Sequence, residues 1–182
     1  MEAELKEQLV EDPDRGFEAL VRSYGQRLFA FAYAMSGNAA DAEEVAQDAF
    51  VRAHRALLRY EPERTRTLHL NAWLHQIALN VFRNRLRRRQ PRLVPLDGEL
   101  EAADRAPGPE RQALGRVAMR ELAAQVSRLP QPHRAAVVLR CVQGLSIQET
   151  ASLLGQPEGT VKSNLHRGLA ALRRQRELSE VS

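Results

Sequence analysis

Cysteine is almost missing from this sequence, with one residue, Cys141, in 182. This excludes an internal disulfide and any zinc site built from several cysteines. Cys141 follows the apolar residues 137–139 on a helical face, which favours a buried structural thiol. No apolar run approaches the ~18 residues of a membrane span, and the acidic start MEAELKEQLVEDPD is not a signal peptide. We therefore expect a soluble, cytoplasmic protein with no membrane insertion.

The usual signatures of catalysis are missing as well. The five histidines form no HExxH pair, and the sequence has neither a phosphate-binding glycine loop nor a GxSxG nucleophile motif. We therefore expect a protein that is not an enzyme, with no catalytic residues, no metal and no cofactor.

The alternation of a β-strand is also absent, whereas apolar residues recur at helical spacing through most of the chain. In the first half this spacing predicts three amphipathic helices. Their apolar residues are Phe17, Leu20, Val21, Tyr24, Leu28, Phe31 and Met35; then Ala42, Val45, Ala46, Ala49, Phe50, Ala53 and Leu57; then Trp73, Leu74, Ile77, Ala78, Val81, Phe82 and Leu86. The segment from Tyr60 to His69 contains Pro62 and four charges, so we expect a loop there.

The helical pattern breaks between Gln90 and Glu110, where four prolines and two glycines occur. From residue 97 to 110 this stretch has five acidic side chains and one arginine. A structureless segment of this length is unusual inside one domain, so it separates two. We predict an all-α fold with two small helical domains, 1–90 and 111–182, joined by a flexible acidic linker at 91–110. The second is expected to have four helices, the first two at about 111–128 and 132–143.

The last two helices form a helix-turn-helix between Ser146 and Arg174. Ser146 and Glu149 have the spacing of a capping box, and Gly155 with Pro157 ends the first helix. A second helix starts at Gly159. Its predicted buried stripe is Val161, Leu165, Leu169 and Leu172, and its other faces are basic. This arrangement fits the DNA major groove.

Two charged surfaces precede the predicted linker. The first is a cluster of six arginines within ten residues, which favours nucleic acid over a merely solvated helix end; it comprises Arg83, Arg85, Arg87, Arg88, Arg89 and Arg92. The second is an acidic side of the second helix, which taken alone is more typical of a solvated face than of a protein-docking surface. Its residues are Asp41, Glu44, Gln47 and Asp48, with Val51 beside them.

Together these features resemble a bacterial RNA polymerase sigma factor of the extracytoplasmic-function (ECF) group. The resemblance extends from about Phe17 to Arg174. It rests on DAEEVAQDAF and WLHQIALNVFRNRLRRR in the first half, and on LPQPHRAAVVLRCVQGLSIQETASLLGQPEGTVKSNLHRGLAALR in the second. Each segment is weak evidence alone, but their order around one acidic, proline-rich link is specific.

The resemblance implies a role for each surface. Asp41, Glu44, Gln47 and Asp48 would dock on the clamp helices of the polymerase β′ subunit. The third helix and the loop before it would open the minus-ten promoter element and hold the exposed strand, through Thr67, His69, Asn80, Arg83, Asn84, Arg87 and Arg88. The helix from Gly159 would read the minus-thirty-five element through Thr160, Lys162, Ser163, Asn164, His166 and Arg167. Trp73 falls on the buried stripe, so we interpret it as a core residue rather than a base-stacking ring.

The resemblance also implies partners. These are promoter DNA and core RNA polymerase, contacted at the β′ clamp helices and the β flap, with the acidic link threading toward the active site. Family members are often held inactive by an anti-sigma factor, so such a partner is expected here too.

Two alternatives stay open. A free-standing helix-turn-helix repressor or activator would leave the arginine-rich third helix and the acidic link without a role. An adaptor that binds other proteins and uses its arginines for RNA would leave the capped turn without one.

Overall fold

The structure is a computed structural model that describes residues 2–89 and 124–180. The described residues form helices joined by short turns, with no strand among them, which confirms the all-α prediction. They divide into two compact units, residues 2–32 with 40–89, and residues 33–39 with 124–180. The predicted acidic linker, Arg92 and most of the helix expected from residue 111 lie outside the described residues. The bounds of the two domains and of the linker therefore stay predictions.

The helices before the predicted linker are α1 (Glu2–Glu11), α2 (Pro13–Ser36), α3 (Ala39–Leu57), α4 (Pro62–Thr67) and α5 (Leu70–Arg89). The three long helices coincide with the three amphipathic segments expected from the sequence. α1 was not expected, because its apolar content is little more than Leu5 and Leu9, both buried.

Aromatic contacts join α2 to the other two long helices. The rings of Phe17 and Phe50 meet edge to face at 6.3 Å, and those of Phe31 and His75 at 5.1 Å. The buried residues of α3 are four alanines and one valine, whose small side chains allow close approach of the neighbouring helix backbone. The core thus fixes which faces of α3 and α5 remain outside.

The expectation of a loop from Tyr60 to His69 was wrong, because residues 62–67 form the short helix α4. Pro62 starts this helix at its first position, where a backbone N–H would have had no helical partner in any case. Proline therefore marked a helix start here, where the sequence reading took it as a sign of a loop.

The predicted core of α5 is confirmed in its middle and wrong at its end. Leu74, Ala78, Val81 and Phe82 are buried, whereas Leu86 is 38% exposed. No described side chain of α5 beyond Phe82 is buried, so the helix continues past the core and its last turns face outward.

The described helices after the predicted linker are α6 (Gln131–Val137), α7 (Ile147–Leu154) and α8 (Glu158–Glu180). A helical turn at 124–127 precedes them, and a π-helical turn, Val138–Val142, extends α6. The break at Leu129–Pro130 and the helix expected to begin near Pro132 are confirmed.

The prediction that Cys141 is buried was wrong, because its side chain is exposed. The π-helical turn explains this, since the amide of Gln143 bonds the carbonyl of Val138 at 3.0 Å, five residues back. The wider turn rotates the residues at its end out of the α-helical register on which the prediction relied.

The predicted buried stripe of α8 is partly confirmed. Val161 is fully buried, but Leu165, Leu169 and Leu172 are only half-buried. Gly168 is buried in the same stretch, and a Cβ there would lie 2.6 Å from Cγ2 of Val137. The close contact of α8 with α6 therefore depends on Gly168, which has no side chain, as well as on leucines.

Candidate nucleic-acid and protein-docking interfaces

The four residues predicted to dock on polymerase lie on the outer side of α3, and we call them the α3 surface. Glu44, Gln47 and Asp48 are exposed, whereas the side chain of Asp41 is only 17% exposed. Val45, Ala46 and Ala49 face the core between them. The fold thus leaves three of the four polar side chains open to a partner.

Arg85 reaches the α3 surface from α5. Its Nη2 lies 3.6 Å from Oδ1 of Asp41 and also donates to Oε2 of Glu44. Charge alone places Arg85 in the predicted nucleic-acid cluster, and the ion pair becomes visible only from the packing of α3 on α5. The acidic spacing of α3 gave no sign of it.

The residues predicted to hold the minus-ten strand from α5 form a second surface, which we call the α5 surface. Asn80, Asn84, Arg87 and Arg88 are exposed and Arg83 is half-buried. Residues 80, 84 and 87 follow one another at three- and four-residue spacing, so they share one side of the helix. This gives α5 a polar track with charge at its C-terminal end, suited to a nucleic-acid backbone.

Thr67 and His69, predicted from the same site, lie at the end of α4 and just after it, and both are exposed. The hydroxyl of Thr67 already donates to the carbonyls of Glu63 and Arg64, at 3.1 and 3.0 Å. Of the two, His69 is therefore the side chain freer to contact a base.

α1 holds the α4–α5 junction through residues that the sequence reading missed. Glu7 pairs with Arg66 at 3.1 Å, and this hydrogen bond raises the pKa of Arg66 above its ordinary value. The amide of Leu70, the first residue of α5, donates to Oε1 of Glu2 at 3.1 Å. The other carboxylate oxygen of Glu2 faces the hydroxyl of Tyr24, whose pKa is raised, first by burial and then by that charge. An acidic N-terminal segment was the sole signal in the sequence.

Trp73 is half-buried rather than fully in the core. Its ring lies 6.1 Å from that of Tyr60, and the guanidinium carbon of Arg64 stands 3.9 Å from the centre of the Tyr60 ring. Arg64 of α4 packs on the Tyr60 ring, and that ring packs on Trp73 of α5. These contacts link α4 to α5.

The helix-turn-helix is formed by α7, α8 and the turn between them. Ser146 accepts from the amide of Glu149 at 3.1 Å, and the Glu149 carboxylate accepts from the amide of Ser146 at 2.8 Å. Gly155 has φ +64°, a left-handed conformation that other residues rarely adopt, and so ends α7. The capping box and glycine stop predicted from the sequence are therefore confirmed.

The residues predicted to read the minus-thirty-five element form a third surface on the first turns of α8, the α8 surface. Thr160, Lys162, Ser163, His166 and Arg167 are exposed. Asn164 is half-buried, and its amide donates to Oε1 of Gln156 at 3.4 Å. Five of the six side chains are therefore open to solvent, and Asn164 faces the turn.

The part of the chain that the structure describes contains no group of three metal-ligating side chains close enough to hold an ion. Within residues 2–89 and 124–180, none of the helices has the length and apolar character needed to cross a membrane.

Two all-α units, one ending in a capped helix-turn-helix with a basic second helix, define a DNA-binding protein. Comparison with known families identifies both halves. The Sigma-70 region 2 model matches residues 20–92, and the Sigma-70, region 4 model matches residues 119–172. The chain belongs to the sigma-70 family of bacterial RNA polymerase sigma factors, in the ECF group.

Individual relatives agree with this assignment. The ECF sigma factor SigE of Mycolicibacterium smegmatis is 36% identical over 160 residues, covering 86% of this chain and 60% of SigE. The ECF sigma factor SigW of Bacillus subtilis is 31% identical over 169 residues, covering 87% of this chain and 88% of SigW. The chain thus spans less than two thirds of SigE and most of SigW.

A solved structure also resembles this chain. The structure of CnrH in complex with the cytosolic domain of CnrY matches with a TM-score of 0.68 and 25% identity, covering 97% of each chain.

Proposed function

We propose that this chain binds core RNA polymerase through the α3 surface and directs promoter-specific initiation by reading two DNA elements. The α5 surface, with Thr67 and His69, holds the opened strand of the minus-ten element, and the α8 surface reads the minus-thirty-five duplex. The two reading modules correspond to domains 1–90 and 111–182, separated by the acidic linker at 91–110. The proposed polymerase contacts are the β′ clamp helices and the β flap.

The segregation of charge on exposed faces carries this proposal. The α3 surface offers carboxylates, whereas the α5 and α8 surfaces offer arginine, lysine and amide side chains. Cationic side chains bind phosphates, and a helix in the major groove reads base edges from its first turns. One protein partner and two nucleic-acid contacts are what a promoter-specificity subunit needs.

The chain itself contributes binding and strand separation, and the polymerase makes the RNA. We therefore propose that it is not an enzyme, needs no cofactor and works in the cytoplasm, where polymerase and promoters are. The CnrH structure contains a second protein, the cytosolic domain of CnrY, and family members are often held inactive by an anti-sigma factor. We therefore also propose that an anti-sigma factor regulates this chain.

In vitro transcription tests the proposal without knowledge of the promoter. Cognate core polymerase transcribes pooled genomic fragments with and without the chain, and the RNA 5′ ends are sequenced. We expect start sites that depend on the chain and share two short upstream elements at a fixed separation. Identical start sites in both reactions would contradict the proposal.

The free-standing regulator makes a different prediction in the same system. A repressor or activator binds duplex promoter DNA tightly without polymerase, usually as a dimer on a palindrome. Gel-shift assays of the chain alone on the same fragments therefore separate the two functions.

A further inference from the structure

Arg85 lies on a different side of α5 from Arg83 and Arg87, its neighbours two residues away in the arginine cluster. At about 100° per residue, Arg85 lies some 200° from both Arg83 and Arg87, close to the opposite side of the helix. It pairs with α3, through Asp41 and Glu44. A residue that looks like one member of a nucleic-acid cluster thus faces the docking helix instead.

The exposed fractions of the three side chains show how the charges are shared. The side chains of Asp41 and Arg85 are 17% and 25% exposed, and that of Glu44 is 58% exposed. Asp41 is therefore largely enclosed with the guanidinium, whereas Glu44 keeps more than half of its surface open. Because residues 41 and 44 lie one turn apart, a single planar guanidinium can bridge both carboxylates.

We infer that Arg85 is a positioning residue of the polymerase-docking surface, which holds the Glu44 carboxylate in the orientation that a cationic side chain of the partner meets. This rests on the proposed docking role of the α3 surface. A free glutamate samples many rotamers, and a partner must order it on binding. The bridge to Arg85 orders Glu44 beforehand and leaves its outer side open. Asp41 then contributes by helping to hold the Arg85 guanidinium in place.

The affinity of the full chain for cognate core polymerase measures this role. We compare Arg85→Ala, Arg85→Lys, Glu44→Gln and the Arg85→Ala/Glu44→Gln pair by fluorescence anisotropy. We expect Arg85→Ala to weaken binding about tenfold, the change produced by roughly 1.4 kcal/mol, and Arg85→Lys to restore part of it. Since Arg85 acts through Glu44, the double variant should be no weaker than Glu44→Gln alone.

Two further variants control for charge and for position on the helix. Arg22→Ala removes an exposed arginine of α2 that the account gives no role, and it should leave core affinity unchanged. Arg87→Ala, two residues from Arg85, should leave core affinity unchanged and should weaken the capture of minus-ten single-stranded DNA by the holoenzyme. Thermal denaturation of every variant verifies that it is folded at the assay temperature. If Arg85→Ala is unfolded there, the core affinity of Arg85→Lys is compared instead.

The outcomes separate the inference from the function on which it rests. If Glu44→Gln weakens core binding and Arg85→Ala leaves it unchanged or strengthens it, the positioning role is wrong and the docking surface stands. If Glu44→Gln has no effect on core binding, the docking role of Glu44 fails and the inference fails with it. Additive losses in the double variant would also overturn the inference, because they mean that Arg85 acts independently of Glu44.

Discussion

Gly168 shows how one missing side chain sets the packing of the helix-turn-helix. A Cβ at this position would lie 2.6 Å from Cγ2 of the buried Val137 and 3.3 Å from the carbonyl oxygen of His133. Glycine inside a helix costs about 1 kcal/mol relative to alanine, so its presence in α8 needs a structural reason. The clash with α6 identifies close packing as the reason.

We therefore expect Gly168→Ala to destabilise the protein. Overpacking a filled contact costs about 1–3 kcal/mol, which exceeds the gain of about 1 kcal/mol from helix propensity. Thermal or urea denaturation measures the difference. Gly159→Ala is the matched control, because a Cβ there meets nothing within 4 Å, and it should be neutral or stabilising. Equal effects of the two substitutions would contradict the packing argument.

Lys162 and Arg167 carry the prediction for the upstream element. Both are exposed on α8, and the pairing of Lys162 with Glu158 at 3.7 Å is open to solvent, so it competes weakly with DNA. Replacing either by alanine should weaken binding of the holoenzyme to upstream duplex by about tenfold, since one such contact is worth about 1–3 kcal/mol.

Anisotropy with labelled upstream duplex measures this loss, and core affinity should stay as in the unmodified chain. Arg128→Ala, which removes an exposed arginine outside α8, is the control and should change neither quantity. A loss of core affinity in the Lys162 or Arg167 variant would count against the separate roles of the α3 and α8 surfaces.

Among the helices, α1 contributes to the minus-ten site without belonging to it. Its Leu5 and Leu9 are buried, and its Glu2 carboxylate accepts the first amide of α5. First-turn amides of a helix have no partner within it, so this carboxylate from a distant residue serves as a cap. α1 thus holds in place the junction that exposes His69.

Removing the cap should loosen that junction. We expect Glu2→Ala to lower the free energy of unfolding by about 1 kcal/mol, as for loss of an N-terminal cap. Denaturation measures this loss, and chain-dependent DNA opening should fall in parallel. Glu4→Ala is the control, because Glu4 is exposed on the same helix. If both variants lose equally, the cause is the loss of a negative charge from the first turn of α1 and not the loss of the cap.

The contrast between α7 and α1 shows which elements a sequence reveals. Ser146, Glu149 and Gly155 act on neighbours a few residues away, so their spacing alone predicted the limits of α7 correctly. The Leu70 amide that donates to Glu2 of α1 lies 68 residues further along the chain, and no local pattern indicates this contact. The π-helical turn that exposes Cys141 is likewise a result of packing that helical periodicity does not predict.

The same division applies to the candidate site. The residues of the three surfaces could be predicted from charge, helical spacing and family resemblance, and most of them are exposed as those roles need. Arg85 could not be assigned, because charge alone groups it with Arg83 and Arg87. Its assignment to the docking surface needs the contact between α3 and α5.

As a whole molecule, the chain is proposed to make three separate contacts. In the proposed function, polymerase binds the α3 surface, opened DNA binds the α5 surface, and duplex DNA binds the α8 surface. Counterion release at the arginines makes the two DNA contacts sensitive to salt. Comparisons between variants therefore require one fixed ionic strength.

Footprinting of one chain-dependent promoter tests the two-point reading most directly. On the same fragment, nuclease protection reports the upstream duplex, and permanganate reactivity of unpaired thymines reports the opened element. With core polymerase and the chain we predict both signals together. Arg167→Ala at saturating protein should lose upstream protection and keep thymine reactivity, and Arg83→Ala should do the reverse. Protection by the chain without polymerase, with no reactive thymines in any reaction, would contradict the account.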